Sequence, residues 1–179
     1  MGTIGWVLRE LKDQGFTKEA HRRKEWDNKT RLIKKWADEY PKLRTKNHIG
    51  TYQVKNKDWW KKLDLNQYQA VLGGELAALD SCASAKVRNS TVYIGKHKQG
   101  GLIRDLGLVA VEKSNSHSEQ GDYIEIVEKF WADTDFSTNS KNITHPLITY
   151  ADLMNAWELA SRETAHQIAE HYGFYKKDV

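Results

Sequence analysis

The stretch TVYIG, Thr91–Gly95, is a short run of β-branched and aromatic residues closed by glycine, and Lys96–Gly101 (KHKQGG) reads as the turn that follows it. Leu102–Val111 contains a second strand candidate, and Tyr123–Phe130 (YIEIVEKF) is a third. Between them, Glu112–Gly121 is a polar connection of hairpin-tip composition. In the third candidate Tyr123, Glu125 and Val127 alternate with Ile124, Ile126 and Glu128, an imperfect alternation. These short strands sit between helical patterns, and that order sets the fold class.

Upstream, Asn66–Ser81 reads as a helix weakened by Gly73-Gly74. Lys42–Lys62 is basic, with extended candidates around Ile49–Val54. Lys29–Tyr40 is a helix with Leu32, Ile33, Trp36, Ala37 and Tyr40 on its apolar face, and Pro41 is expected to close it. Lys18–Lys29 is a polar, basic loop or wing. At the front, Ile4, Val7, Leu8 and Leu11 fall at i, i+3, i+4 and i+7, a helical stripe stopped by Gly15. Downstream, Asp133–Asn142 is a polar loop and Ile143–Ile148 a short strand interrupted by Pro146. Thr149–Tyr172 reads as one long helix, with Leu153, Ala156, Trp157, Ala160, Ala165, Ile168 and Ala169 for packing. The expected fold is α+β: a small, mostly antiparallel or mixed sheet flanked by helices.

A chain of 179 residues fits one domain, or one domain with a short appendage, and buries enough surface to need no staples. Hydrophobic content of 39% and seven tryptophans argue for a folded chain. The single cysteine, Cys82, forms no internal disulfide and fits a reducing compartment. There is no run of apolar residues long enough to span a membrane and no signal-peptide pattern, so a cytoplasmic location is expected. Charge is unevenly spread. Met1–Lys62 carries 17 Lys+Arg against 8 Asp+Glu, whereas Leu63–Val179 carries 11 against 16. A basic front on an acidic remainder points to an anionic partner for the front, or to lysines that merely solvate helix faces.

The opening helix has the character of a recognition helix, which presents its N-terminal residues to base edges and buries its other face. Thr3, Gly5 and Trp6 would then face outward at the tip, with Arg9 and Lys12 near phosphates. Arg22, Arg23 and Lys24, interleaved with His21 and Trp26, would form a wing against the backbone. The plainer readings are a surface helix and a solvated loop. In DWWKK (Asp58–Lys62) the tryptophans are read as core anchors; exposed, they would suit base stacking.

Catalytic signatures are missing: the sequence has no GxxxxGK phosphate loop, no HExxH zinc helix and no GxSxG elbow. His166 and Glu170 share a helix face but have no further ligand nearby in sequence, so no metal and no cofactor are expected. The Asp/Glu-x-Lys spelling of a Mg²⁺ nuclease occurs only at Glu10–Lys12 and Asp27–Lys29, both in the helical front end. A nuclease would instead need Glu75, Asp105 and Glu125 to converge in space. The residues therefore favour a non-enzymatic chain, with a metal-dependent nuclease or a protein-interaction module as alternatives.

Taken together, GTIGWVLRELKDQGF, NKTRLIKKWADEYPKLR, LGGELAA, TVYIG, YIEIVEKFW and HPLITYADLM resemble successive blocks of the AbiEi-type antitoxins, the transcriptional regulators of type IV toxin–antitoxin systems linked to phage defence. Their order and spacing carry the resemblance over nearly the whole chain, with YPKLR, GGELAA and TYADLM contributing most. The resemblance implies an N-terminal winged helix-turn-helix that binds operator DNA and a C-terminal antitoxin domain that opposes a nucleotidyltransferase-type toxin, without requiring contact between the two proteins. On this pattern residues 1–27 are a partial winged module, lacking its first helices, and residues 28–179 the α+β antitoxin domain. Gly2–Phe16 would be the recognition helix and its exit, with Ala20–Trp26 near the wing. After YADLM this chain reads NAWELASRET in place of a Gly/Pro-containing turn, which favours a longer helix. A lone helix cannot bury its stripe, so Ile4, Val7, Leu8 and Leu11 are expected to pack on the Lys29–Tyr40 helix, on the C-terminal part, or on a second copy in a homodimer.

Overall fold

A computed structural model describes residues 3–20, 23–56, 58–82, 87, 89–111, 122–131, 142–156 and 158–174; the side chains of 3–6, 19, 20, 23–25, 89 and 122 lie outside that description. Helix α1 (Thr3–Asp13) leads into a hairpin of β1 (Thr17–Ala20) and β2 (Arg23–Trp26). Helix α2 (Lys29–Lys46) and strand β3 (His48–Val54) follow, then 3₁₀ turns at Trp59–Lys61 and Leu65–Tyr68. Next come β4 (Val71–Gly73), α3 (Gly74–Ala78), β5 (Asn89–Ile94), α4 (Gln99–Asp105), β6 (Val109–Val111) and β7 (Asp122–Glu128). The last elements are α5 (Pro146–Met154) and α6 (Leu159–His171).

The fold is α+β. Its five-stranded sheet runs β4-β5-β7-β3-β6. The pairings β4–β5, β7–β3 and β3–β6 are antiparallel, and the central β5–β7 pair is parallel, with Val92 opposite Ile126. Both faces of that pair are covered. Val92, Ile94, Ile124 and Ile126 pack with Trp59, Leu65, Tyr68 and Leu102 on one side. Tyr93 and Val127 join Ile33, Tyr40, Ile148, Ala151 and Ile168 on the other. Two-sided burial is the reason β7 reads as a nearly continuous apolar run with weak alternation. Trp59 sits in the core, the anchoring role read for DWWKK, and Trp60 is half-buried.

Several sequence expectations are corrected. Asn66–Ser81 is not one helix: Gln69 and Gly74 adopt left-handed backbone (φ 50 and 55), which breaks it into a 3₁₀ turn, β4 and the short α3. Gln99–Asp105 is helical, so the extended part of Leu102–Val111 is only β6. Pro146 does not interrupt a strand. It occupies the first turn of α5, where its missing N–H has no intrahelical acceptor to lose, and His145 Nδ1 caps by accepting from the Leu147 N–H at 3.2 Å. Thr149–Tyr172 is likewise two helices. The Asn155 side chain donates back to the Ala151 carbonyl at 2.8 Å, closing α5 in place of a further turn.

Pro41 does not end α2, which runs on to Lys46. Proline removes the N–H that would have bonded the carbonyl four residues back, at Ala37. Asn155 Nδ2 supplies that donor, 3.2 Å from the Ala37 oxygen. A contact 118 residues away in sequence thus lets the helix pass through its proline.

Replacing Asn155 by Ala is expected to cost about 1–3 kcal/mol, because it strands a carbonyl that has no helical partner. In a Pro41→Ala background, where the backbone N–H returns, the same replacement should cost measurably less. A urea-denaturation double-mutant cycle reads the difference, and equal costs in both backgrounds would refute the repair.

Candidate functional site

The front end is built around Phe16. Gly15 (φ 72) follows α1, its N–H bonded to the Lys12 carbonyl at 2.9 Å and the Phe16 N–H to the Leu11 carbonyl at 2.8 Å, a glycine C-cap. Phe16 is 1% exposed, with the Arg31 guanidinium 5.1 Å and the Lys35 ammonium 5.7 Å from its ring centre. Lys35 also donates to Gln14 Oε1 at 2.7 Å, and the Asp27 N–H to the Phe16 carbonyl at 3.0 Å. Helix α1 and the hairpin are therefore pinned to α2 at one point. Of the described part of the apolar stripe, Leu8 and Leu11 are half-buried while Val7 remains 43% exposed, so the stripe is covered only in part.

The residues expected to meet DNA divide into three groups. Arg9 and Lys12 are exposed on α1. Thr3 and Trp6 lie on the same helix, and Arg23 and Lys24 on β2, with side chains outside the described set. Arg22, with His21, lies outside the described residues altogether, between Ala20 and Arg23, which face each other in the hairpin register. The segment read as a loop or wing is thus a two-stranded hairpin.

Behind this front lies a buried polar cluster that no sequence motif singles out. Asp152, on α5, has a side chain only 4% exposed. Its Oδ1 accepts from Tyr40 at 2.7 Å and Tyr93 at 2.6 Å, and its Oδ2 accepts from the Gly74 N–H at 3.0 Å. The two phenols also touch each other. Each has one proton, so with both given to Oδ1 that contact follows from sharing an acceptor. Arg44 Nε lies 3.4 Å from Asp152 Oδ1, within ion-pair reach though not aligned as a hydrogen bond. Arg44 Nη2 donates to Glu125 Oε2 and to Thr91 Oγ1, the latter at 3.3 Å.

Local structure prepares each member. On α2, Ile33, Ala37, Tyr40 and Arg44 recur at helical spacing and share the inward face. Gly74 takes the left-handed conformation that turns its N–H to Asp152, and a methyl on Gly73 would come within 2.5 Å of Tyr93 Cε2 and 3.0 Å of Asp152 Oδ2. Phe130 and Trp131 pack on Tyr93 at centroid distances of 6.3 and 4.9 Å, walling the cluster with aromatic surface. The electrostatics follow. Burial opposes charge on Arg44, but Asp152 and Glu125 outweigh it and hold the guanidinium protonated above its ordinary range. Burial, and then the Asp152 charge, push both phenols above the usual tyrosine range. Burial pushes the Asp152 carboxyl up, against the pull of Arg44, Tyr93, Tyr40 and the Gly74 N–H. Asp152 is enclosed by donors on both oxygens, which suits a clamp joining α2, α3, β5 and α5 better than a metal ligand or base.

The nuclease alternative required Glu75, Asp105 and Glu125 to converge. Instead Glu75 accepts from Ser161 at 2.7 Å, Asp105 from Tyr68 at 2.5 Å, and Glu125 is held by Arg44. Among the described residues no three His, Cys, Asp or Glu side chains gather as a metal site, and none of these carboxylates lines the groove of about 430 Å³ between α2, α5 and α6. No helix among the described residues is long and apolar enough to cross a membrane.

Residues 26–173 match the family model described as "Transcriptional regulator, AbiEi antitoxin, Type IV TA system". No curated protein and no solved structure matches the chain. The clamp gathers the blocks that carry the resemblance: Tyr40 and Arg44 from YPKLR, Gly74 from GGELAA, Tyr93 from TVYIG, Glu125 from YIEIV and Asp152 from TYADLM.

Replacing Asp152 by Ala should destabilise the chain by about 3–5 kcal/mol in urea denaturation, because it strands the Tyr40 and Tyr93 hydroxyls and the Gly74 N–H and leaves the half-buried Arg44 with part of its charge uncompensated. A loss under about 1 kcal/mol would show that the cluster holds nothing together. The phenols give a pH signature. Held up in the folded state, Tyr40 and Tyr93 keep protons that the unfolded chain releases near pH ~10, so their contribution is intact below that pH and is lost as pH rises above it. Absorbance at the tyrosinate band should show these two of the eight tyrosines ionising only with unfolding, and Tyr93→Phe should remove one from the late group.

Proposed function

This chain belongs to the AbiEi antitoxin family of type IV toxin–antitoxin transcriptional regulators, and we propose a division of labour within it. Residues 1–27 bind operator DNA as a partial winged module, and residues 28–179 form the antitoxin domain that counteracts a nucleotidyltransferase-type toxin. The chain acts as a regulator and not as an enzyme. Toxin and antitoxin need not touch, since the antitoxin half can act on the same cellular process from the opposite side.

The observation that carries the DNA half is the front end itself. The family match begins at the last residue of β2, so that half rests on charge and geometry. A helix that carries Arg9 and Lys12 and a two-stranded hairpin, joined by a glycine cap, are fixed to α2 through Phe16. A helix beside a β-ribbon gives a groove-reading element and a backbone-touching element in one unit. Arg9 and Lys12 on α1, with Arg22, Arg23 and Lys24 on and around β2, supply the cations, and Thr3 and Trp6 the tip.

Fluorescence anisotropy against the chain's own upstream DNA and a scrambled duplex, over a salt series, tests the DNA half. Preference for the upstream sequence is expected. Arg23→Gln with Lys24→Gln should weaken both duplexes alike and reduce the log–log salt slope by about 0.9 for each phosphate no longer neutralised. Sequence-blind binding unaffected by these substitutions would sink that half. Co-expression with the cognate toxin tests the other: growth rescue should survive the hairpin substitutions and fail with Asp152→Ala, and absence of rescue by the intact chain would end the antitoxin assignment.

A further inference from the structure

A groove between α2, α5 and α6 serves neither the clamp nor the hairpin. It encloses about 430 Å³, and sites for small ligands run from roughly 300 to 1,000 Å³. A step in side-chain size makes it. Along the inward face of α2, Ala37 stands between Ile33 and Tyr40, and its lone methyl leaves the helix surface recessed. Tyr150 and Met154, one turn apart on α5, form the facing wall, and His166 reaches it from α6. Ala37 and Tyr150 are 4% and 1% exposed, so the floor is buried, whereas Asp38, Asn155 and His166 at the rim are exposed.

Two rim groups are acceptors, and they lie side by side. Asn155 Nδ2 is 3.2 Å from the carbonyl of the peptide that joins Ala37 to Asp38, which brings the amide to the base of the Asp38 side chain. The bonds to the Ala37 and Ala151 carbonyls use both Nδ2 protons, so only Oδ1 is left to offer a ligand. The Asp38 carboxylate makes no hydrogen bond or ion pair with a described residue, although Lys34 lies one turn back on the same helix. A carboxylate beside an amide oxygen suits a cation with several protons, and an alkylammonium carries three. Lys34 lines the same groove; its ammonium, which also has a contact within the fold, suits a carboxylate.

We propose that this groove binds a free α-amino acid with a bulky apolar side chain. Its ammonium sits on Asp38 and Asn155 Oδ1, its carboxylate on Lys34, and its side chain on the floor of Ala37, Tyr150 and Met154. Asp38 is short and held near the helix, and Lys34 is long and can swing toward it. Two groups about 5–6 Å apart at their β-carbons can thus close on the two charges borne by one α-carbon. Occupancy has a structural consequence. A ligand on Asn155 Oδ1 keeps that side chain where it donates to Ala37, so binding and the repair of α2 at Pro41 reinforce each other. The site is independent of the DNA-binding reading above.

The test uses the full chain and three matched probes: L-phenylalanine, phenethylamine, which lacks the carboxylate, and phenylpropanoate, which lacks the ammonium. Isothermal titration gives affinity, and proton–nitrogen correlation spectra give location through the Asp38 N–H and the Asn155 side-chain amide. Phenylalanine should bind saturably with a Kd of about 1 mM or below, as suits about a dozen heavy atoms, and should shift both signals. Each truncated probe should bind about tenfold or more weakly, having lost a charge-assisted contact. Asp38→Asn should weaken phenylalanine by a similar factor, and Lys34→Gln should weaken phenylalanine but not phenethylamine. Both positions are exposed, so thermal unfolding without ligand should be unchanged in either variant. No saturation by about 10 mM phenylalanine overturns the proposal and leaves Asp38 a solvated surface carboxylate. Binding undiminished in Asp38→Asn overturns it too, as do shifts confined to other parts of the chain. Equal affinity for all three probes overturns it in favour of an apolar groove that reads no charge, and phenethylamine as tight as phenylalanine in favour of a simple amine site.

Discussion

The fold depends on one carboxylate taken out of water. Asp152 is tolerable in the core because Tyr40, Tyr93, the Gly74 N–H and Arg44 each supply a proton or positive charge to it. These partners come from three elements, α2, α3 and β5, so satisfying Asp152 fixes them and α5 against one another, and Arg44 extends the tie to β7 through Glu125. Apolar packing between these helices and the sheet tolerates small slides; a buried charge with directional donors does not. This constraint explains why Gly73 and Gly74 are glycines and why tyrosine and arginine occupy inward positions of an otherwise apolar helix face.

The same helix connects this anchor to the outer surface. One face of α2 carries Tyr40 and Arg44 into the clamp, and the opposite face carries Arg31 and Lys35 over Phe16. The front end thus inherits its orientation from the buried cluster through a helix of 18 residues. Pro41 would weaken that lever at its centre, and Asn155, three residues past Asp152, repairs the lost bond. Clamp and repair both come from the YADLMN segment, so a disturbance there reaches the front end without touching any basic residue.

Carboxylates that resemble nuclease ligands on paper each take a structural role. Glu75 receives the Ser161 hydroxyl, Asp105 the Tyr68 hydroxyl and Glu125 the Arg44 guanidinium. Composition identifies acidic residues but not whether they face one another, and here each is occupied by a neighbour from another element.

Fold class was legible in local pattern alone. Helical stripes on either side of short β-branched runs specify α+β, the basic front follows from counting charges, and the order of the blocks names the family. The core role of Trp59 and the glycine stop after α1 were legible for the same reason: each depends on residues within a few positions. Packing settled the rest. The ends of α2, α5 and the predicted helix at Asn66–Ser81 differ from the local reading because a side chain at Asn155 or a left-handed turn at Gly74 overrides propensity. The clamp was invisible for a related reason. Tyr40, Tyr93 and Asp152 lie 53 to 112 residues apart, and a lone tyrosine, arginine or aspartate in an apolar segment looks like noise until folding brings its partners within reach. The available signal was a polar residue at each inward position, Arg44 beside Tyr40 on one helix and Asp152 between Ala151 and Leu153 on another. It marks a buried polar contact; which groups meet there depends on distances set only once the chain is packed.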